Sequence, residues 1–358
     1  MEITTELSPE QILFVIEDNR KKGDKKGEAV NLNTLAKTYL AMNENSRAVH
    51  FAEKALQIDK EIGDKRHQAI DMNLLGKAWL DSNDPKKAIV YLERALQIDK
   101  EIGDKRQQAI DMNLLGKAWL DSNDPKTAIG YLERALEIDK EIGDKRHQAI
   151  DMNLLGKAWL DSNDPKTAIG YLEETLKIDK EVGDKRHQAI DMNLLGKAWL
   201  DSNDPKKAIG YLEKALEIDK EVGDKRHRAI DMNLLGKASV RLNQPDKAIE
   251  YYEEALQISR RIEDVKNISY NLHSLGHIYF KRELHVIAEQ YFKECTKLPF
   301  EINRAAWIDA SERLGDIYEF RGENTTALTY YKKAHKFSKG KRKKRLEEKI
   351  HNLEEKRR

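Results

Sequence analysis

The chain has 358 residues, 35% of them charged, with a formal net charge of +1. That balance makes nucleic acid an unexpected partner, and no apolar run approaches the roughly 18 residues that argue for a membrane helix. A single cysteine, Cys295, excludes an internal disulfide and fits a reducing, cytoplasmic setting.

The N-terminal stretch MEITTELSPE lacks a basic-then-apolar signal pattern. Ser8-Pro9 starts a helix to about Lys22, whose apolar Ile12, Leu13, Val15 and Ile16 need a partner. Residues 1–23 are therefore expected to form an N-terminal capping helix. From there the chain repeats itself. Gly76, Gly116, Gly156 and Gly196 sit 40 residues apart in a shared LLGKA; Gly236 and Gly276 keep the step, and Gly315 follows after 39. Ala36 holds the same place 40 residues before Gly76. Eight units follow: 24–63, 64–103, 104–143, 144–183, 184–223, 224–263, 264–298 and 299–338. A period of this size signals a solenoid in which each unit contacts its neighbours. Residues 104–143 and 144–183 differ at five positions. Such identity is the mark of recent duplication or of deliberate construction.

One unit reads as two helices. Asp104 caps the first, which runs to about Ser122 with Ile110, Met112, Leu114, Leu115, Ala118 and Trp119 on a broad apolar face. Asn123 and Asp124 break it. Asp124 then offers an N-cap oxygen and Pro125 takes the first helical position, where its missing N–H costs nothing. The second helix turns Ala128, Ile129, Leu132, Ala135, Leu136 and Ile138 inward and stops at Gly143. No β-branched alternation argues for a sheet.

With Met112, Leu115, Gly116, Trp119, Ala128, Leu132 and Ala135 at its characteristic places, the unit resembles the tetratricopeptide repeat. The resemblance covers about residues 24–338. It departs from the family in the length of the unit, 40 residues rather than 34, and in lacking the proline that closes the second helix of the central units. That longer form resembles the repeats of Pins-type adaptors, kinesin light chains and several bacterial regulators. The resemblance implies an all-α, right-handed α-solenoid (superhelix) of about eight helix–turn–helix units with helical caps. Trp79, Trp119, Trp159 and Trp199 are expected in the core, and Cys295, at the place of Ala135, as a small buried residue.

Residues 339–358 differ from the rest. They carry ten Lys/Arg and four Glu, a net of +6, against −5 for residues 1–338. Leu346, Ile350 and Leu353 form a thin apolar stripe, which suggests a basic helix packing on unit eight. The run from Lys339 to Arg345 also fits an import signal or a nucleic-acid patch, with a solvated basic tail as the plainer reading.

No nucleotide-binding loop, zinc-protease, CxxC or nucleophile-elbow motif occurs, so no catalytic residue, cofactor or metal site is nominated. His67, His147, His187 and His227 recur once per unit, too sparsely for a compact metal site. Asp71, Asp111, Asp151, Asp191 and Asp231 likewise form a row rather than an acid–base pair. What remains is a pair of ladders. The resemblance implies that the first helix of each unit lines a concave groove, with the residues two before and two after Leu115 facing it. These are Asn33, Asn73, Asn113, Asn153, Asn193 and Asn233, and Lys37, Lys77, Lys117, Lys157, Lys197 and Lys237. Asparagine offers both a donor and an acceptor to a peptide backbone; lysine favours acidic groups. In units seven and eight the ladder changes to His273 and His277, then Glu312 and Asp316. The expected function is a non-enzymatic scaffold that binds an extended or helical, acidic segment of a partner protein. The alternatives are an array without a dedicated ligand, self-associating or not, and a sensor of bacterial type.

Overall fold

The computed structural model describes residues 7–356, which hold eighteen α-helices and no strand. The helices fall into two compact units, one ending at Gly183 and the other beginning at Asp184.

In the first unit, α1 (Pro9–Lys22) precedes four helix pairs: α2 (Lys25–Ala41) with α3 (Asn45–Ile62), α4 (Lys65–Asp81) with α5 (Pro85–Ile102), α6 (Lys105–Asp121) with α7 (Pro125–Ile142), and α8 (Lys145–Asp161) with α9 (Pro165–Val182). The boundaries follow the local chemistry. Asp104 and Asp124 accept from the amides of Gln107 and Thr127 at the starts of α6 and α7, supplying acceptors that helix N-termini otherwise lack. Asn123 adopts φ 62° between the two helices, and Gly143 closes α7 at φ 76°, the left-handed conformation that glycine enters without a Cβ penalty.

Packing within a pair depends on size. Leu115, Ala118, Ala128, Leu132 and Ala135 are wholly buried, and burying each leucine contributes roughly 1.5–3 kcal/mol. A Cβ placed on Gly116 would lie 2.5 Å from Leu132 Cγ. Glycine is thus required where the leucine of the second helix crosses the first. The four repeat tryptophans, expected in the core, are only partly buried at its margin, because the indole is too large for the tight crossing. Lys87 lies 3.9 Å from the Trp79 ring centroid and covers its outer face. α1 packs on α2 through Ile12 and Ile16, while Leu13, expected on the same side, is exposed; the helical period turns it away.

The second unit repeats the plan with α10 (Lys185–Asp201) and α11 (Pro205–Val222), α12 (Lys225–Arg241) and α13 (Pro245–Arg261), α14 (Val265–Lys281) and α15 (His285–Lys297), and α16 (Arg304–Phe320) and α17 (Asn324–Phe337), ending in α18 (Gly340–Glu355). Here α15 stops with Leu298 extended at ψ 154°, as the following Pro299 demands. Cys295 is buried, and burial pushes its thiol up to about 11, so it is a core side chain. Leu346 and Leu353 of α18 are fully buried against the core that also holds Leu314, Ile317 and Tyr331. The basic segment is therefore a packed helix rather than a solvated tail.

Candidate functional site

The ladder residues lie on the first helix of each pair, and the asparagines are spoken for. Asn33 Nδ2 donates to Asp71 Oδ1 of the next pair at 2.6 Å, and Asn73 does the same to Asp111 at 2.7 Å. Asn113 to Asp151 and Asn193 to Asp231 are each 2.6 Å. Asn233 is buried and turns to Asn267 at 3.0 Å, because unit seven carries Asn271 where units two to six carry the aspartate. Asn153 is half-buried like its neighbours. The amides thus join successive repeats instead of standing free in a groove.

The aspartates form pairs, against the expectation of a simple row. Asp71 is buried beside the equally buried Asp59 from the end of α3, and Asp111, Asp151 and Asp231 stand likewise beside Asp99, Asp139 and Asp219. Burial pushes Asp71, Asp111, Asp151 and Asp231 up to about 8; the asparagine hydrogen bond works against that rise and the second carboxyl adds to it. In each of the four, Oδ2 receives no hydrogen bond while Oδ1 accepts from the asparagine N–H. A proton on Oδ2, donated to the neighbouring carboxylate, satisfies that oxygen and avoids two adjacent buried anions. This is a structural clip of amide, acid and carboxylate, with both carboxyls buried.

The lysines are more accessible. Lys37 and Lys77 are exposed; Lys117, Lys157, Lys197 and Lys237 are half-buried. Lys237 stands 3.8 Å from Asp201, one pair earlier. A surface cavity of about 490 Å³ across α2, α4 and α6 is lined by Lys37, Leu40, Asn73, Lys77 and Ile110. Along this face the lysine charges rise beside an apolar floor.

At unit eight the same two positions carry a different load. Glu312, which replaces the ladder asparagine, is buried and receives Arg342 Nε at 2.8 Å and Arg345 Nη2 at 2.6 Å from α18. Asp316, which replaces the ladder lysine, receives Lys349 Nζ at 2.5 Å. The basic helix packs on α17 and sends Arg342, Arg345 and Lys349 across to these two first-helix positions of its own last repeat.

The tetratricopeptide repeat family matches residues 27–101, 68–141, 188–261 and 228–299, more than half of the sequence. The chain belongs to the tetratricopeptide repeat family. No curated protein matches it. Among solved structures, this tetratricopeptide repeat chain resembles the apo form of RapI, with 16% identity, a TM-score of 0.64 and coverage of 77% of this chain and 98% of that one. It also resembles the apo quorum sensor NprR from B. thuringiensis, at 13% identity and TM-score 0.66, covering 91% and 96%. A Rap protein complexed with Competence and Sporulation Factor aligns at 15% identity and TM-score 0.53 over 97% and 100%. These likenesses establish the fold. No described helix of the repeat array is long and apolar enough to cross a membrane.

One further group in the repeat array escaped the sequence reading. His273 and His277, four residues apart on α14, meet Asp309 of α16. Burial alone would raise the Asp309 carboxyl, but hydrogen bonds from both histidines hold it well below the usual carboxylate range. The available signal was the replacement of Asn and Lys by two histidines at helical i, i+4 spacing; nothing in the sequence pointed to Asp309, which sits where Ile110 sits in unit three.

Proposed function

We propose that the protein is a non-catalytic interaction scaffold whose first-helix face holds an acidic segment of a partner protein. The observation that carries this reading is the ion pairing of Arg342, Arg345 and Lys349 of α18 with Glu312 and Asp316. A helix is gripped there at the two positions that hold asparagine and lysine in units one to six. In unit eight acids grip a basic helix; with the charges reversed, the row Lys37, Lys77, Lys117, Lys157, Lys197 and Lys237 suits an acidic one. Charge-assisted contacts of this kind are the stronger class of hydrogen bond. The asparagines support the face by joining its helices, their carbonyl oxygens being the part left to offer a ligand. A cytoplasmic setting goes with this reading, as the one buried thiol suggests.

The test uses a fluorescein-labelled amphipathic peptide with glutamates at i, i+4 spacing, titrated with the full chain. Binding that weakens at least tenfold in the K77E/K117E/K157E variant, and falls steeply with added salt, supports the scaffold. Equal affinity in the charge-reversed variant removes the lysine row from the site and favours an array without a dedicated ligand.

A further inference from the structure

The structure assigns a divalent transition-metal site to His273, His277 and Asp309, with zinc as the best-matched ion. The geometry is that of a ligand set. His273 Nε2 lies 3.1 Å from Asp309 Oδ2 and 3.1 Å from His277 Nε2, and His277 Nε2 also contacts that same carboxylate oxygen. Bonds of about 2.0–2.1 Å to a tetrahedral zinc place neighbouring ligand atoms roughly 3.3 Å apart. Two of the three separations already stand near that value. Both histidines present Nε2 rather than one nitrogen of each kind, so both imidazoles address one point.

The surroundings fit a three-ligand site. The other oxygen of Asp309, Oδ1, is engaged by Arg342 of α18, which orients the carboxylate and leaves Oδ2 for the ion, as a supporting partner does in built metal sites. Arg313 Nε is 3.9 Å from Oδ2. The charges of these two arginines are met in turn by Glu312, at 2.8 Å from Arg342, and Asp316, at 2.9 Å from Arg313. The side chains of His273, His277 and Asp309 are 25%, 29% and 16% exposed. The cluster is therefore sheltered yet reachable, and His273 and His277 border a cavity of about 390 Å³. Three protein ligands and an adjoining cavity leave a coordination position for water or for a ligand oxygen. Two imidazoles with one carboxylate select zinc and its first-row neighbours over magnesium and calcium, which prefer all-oxygen shells.

The site departs from the repeat in a way that supplies its own control. The two histidines occupy the ladder positions that hold Asn113 and Lys117 elsewhere, so H273N/H277K restores residues the fold already accepts. The full chain, freed of metal, is titrated with Zn²⁺ against a chromogenic chelator and with Co²⁺ followed by visible absorption. One equivalent of Zn²⁺ per chain is expected, with a Co²⁺ spectrum of four-coordinate type and no competition from Mg²⁺ or Ca²⁺. Affinity should fall at least tenfold in H273N/H277K and in D309N, with helicity by circular dichroism unchanged in the former. H147Q/H187Q, which copies Gln107 of unit three, should bind as the parent does. Absence of stoichiometric binding by the parent, retention of affinity in H273N/H277K, or loss confined to H147Q/H187Q overturns the assignment.

Discussion

Asn113 on α6 donates its side-chain amide to Asp151 on α8 at 2.6 Å, tying one repeat to the next inside the packed face of the array. The same bond recurs from Asn33, Asn73 and Asn193. Residues that repeat at the surface of a groove on paper are here part of what holds the repeats in register.

The first prediction follows from that bond. N113A leaves Asp151 Oδ1 buried without its donor, and an unsatisfied buried polar group costs about 1–3 kcal/mol. Chemical denaturation should show the loss, and in D151A the further change N113A should cost much less, since the partner is already gone. Additive losses in the double variant would mean the two side chains act independently.

A second prediction concerns pH. Asp71, Asp111, Asp151 and Asp231 are raised by burial to about 8 from the ordinary 3.8. The folded chain therefore holds protons that the unfolded chain releases between about pH 4 and 8, and stability must fall as pH rises through that window. The N-cap aspartates act the other way. Burial raises Asp64 and Asp144, but the bonds from His67 and His147 outweigh it and leave them low, so their contribution is lost only in stronger acid. Melting at pH 5.5 should accordingly occur above melting at pH 8. D71N/D111N/D151N, which replaces each protonated acid with a neutral donor–acceptor of the same shape, should raise the pH 8 midpoint and flatten the slope. A parent chain more stable at pH 8 than at pH 5.5 rules the shared proton out.

Glycine substitutions give a third prediction with opposite signs at two sites of one helix pair. A Cβ on Gly130 meets nothing within 4 Å. Removing glycine's backbone freedom in a helix interior should make G130A more stable by about 0.5–1 kcal/mol. A Cβ on Gly116 would sit 2.5 Å from Leu132 Cγ, and overpacking of a full core costs about 1–3 kcal/mol. Thermal melts of the two single variants should therefore move in opposite directions.

The fourth prediction separates the middle of the array from its end. Deleting residues 104–143 joins Gly103 to Asp144 and brings Asn73 into the place of Asn113 before Asp151. The shortened chain should fold with the same helicity per residue. Truncation before Lys339 instead uncovers the core reached by Leu346 and Leu353 and leaves Glu312, 1% exposed, without Arg342 and Arg345. Removing one side of a buried ion pair is strongly destabilising. The truncated protein should melt earlier and bind a hydrophobic dye; an unaffected truncation together with an unfolded internal deletion contradicts the nearest-neighbour picture.

Much of this protein was legible one residue at a time. The helix ends follow from Asp104, Asp124, Pro125 and Gly143 because capping and left-handed turns are decided within a few residues of backbone. The pairing of helices follows from Gly116 and Leu132 because their size leaves one close approach, and the 40-residue period is plainest in units two to five, which repeat that solution. The fates of the polar ladders were decided elsewhere. Asn113 and Asp151 are 38 positions apart, and only the stacking of α6 on α8 sets the amide beside the carboxyl and removes the carboxyl from water. His273 and His277 share a helix face by spacing alone, yet Asp309 joins them only where α16 packs on α14. The basic run after Lys339 reads alike as a solvated tail or as a packed helix until Glu312 and Asp316 meet it. Local chemistry determines where a helix begins and which face is apolar; which charges neutralise one another depends on burial and on distances that tertiary packing alone supplies.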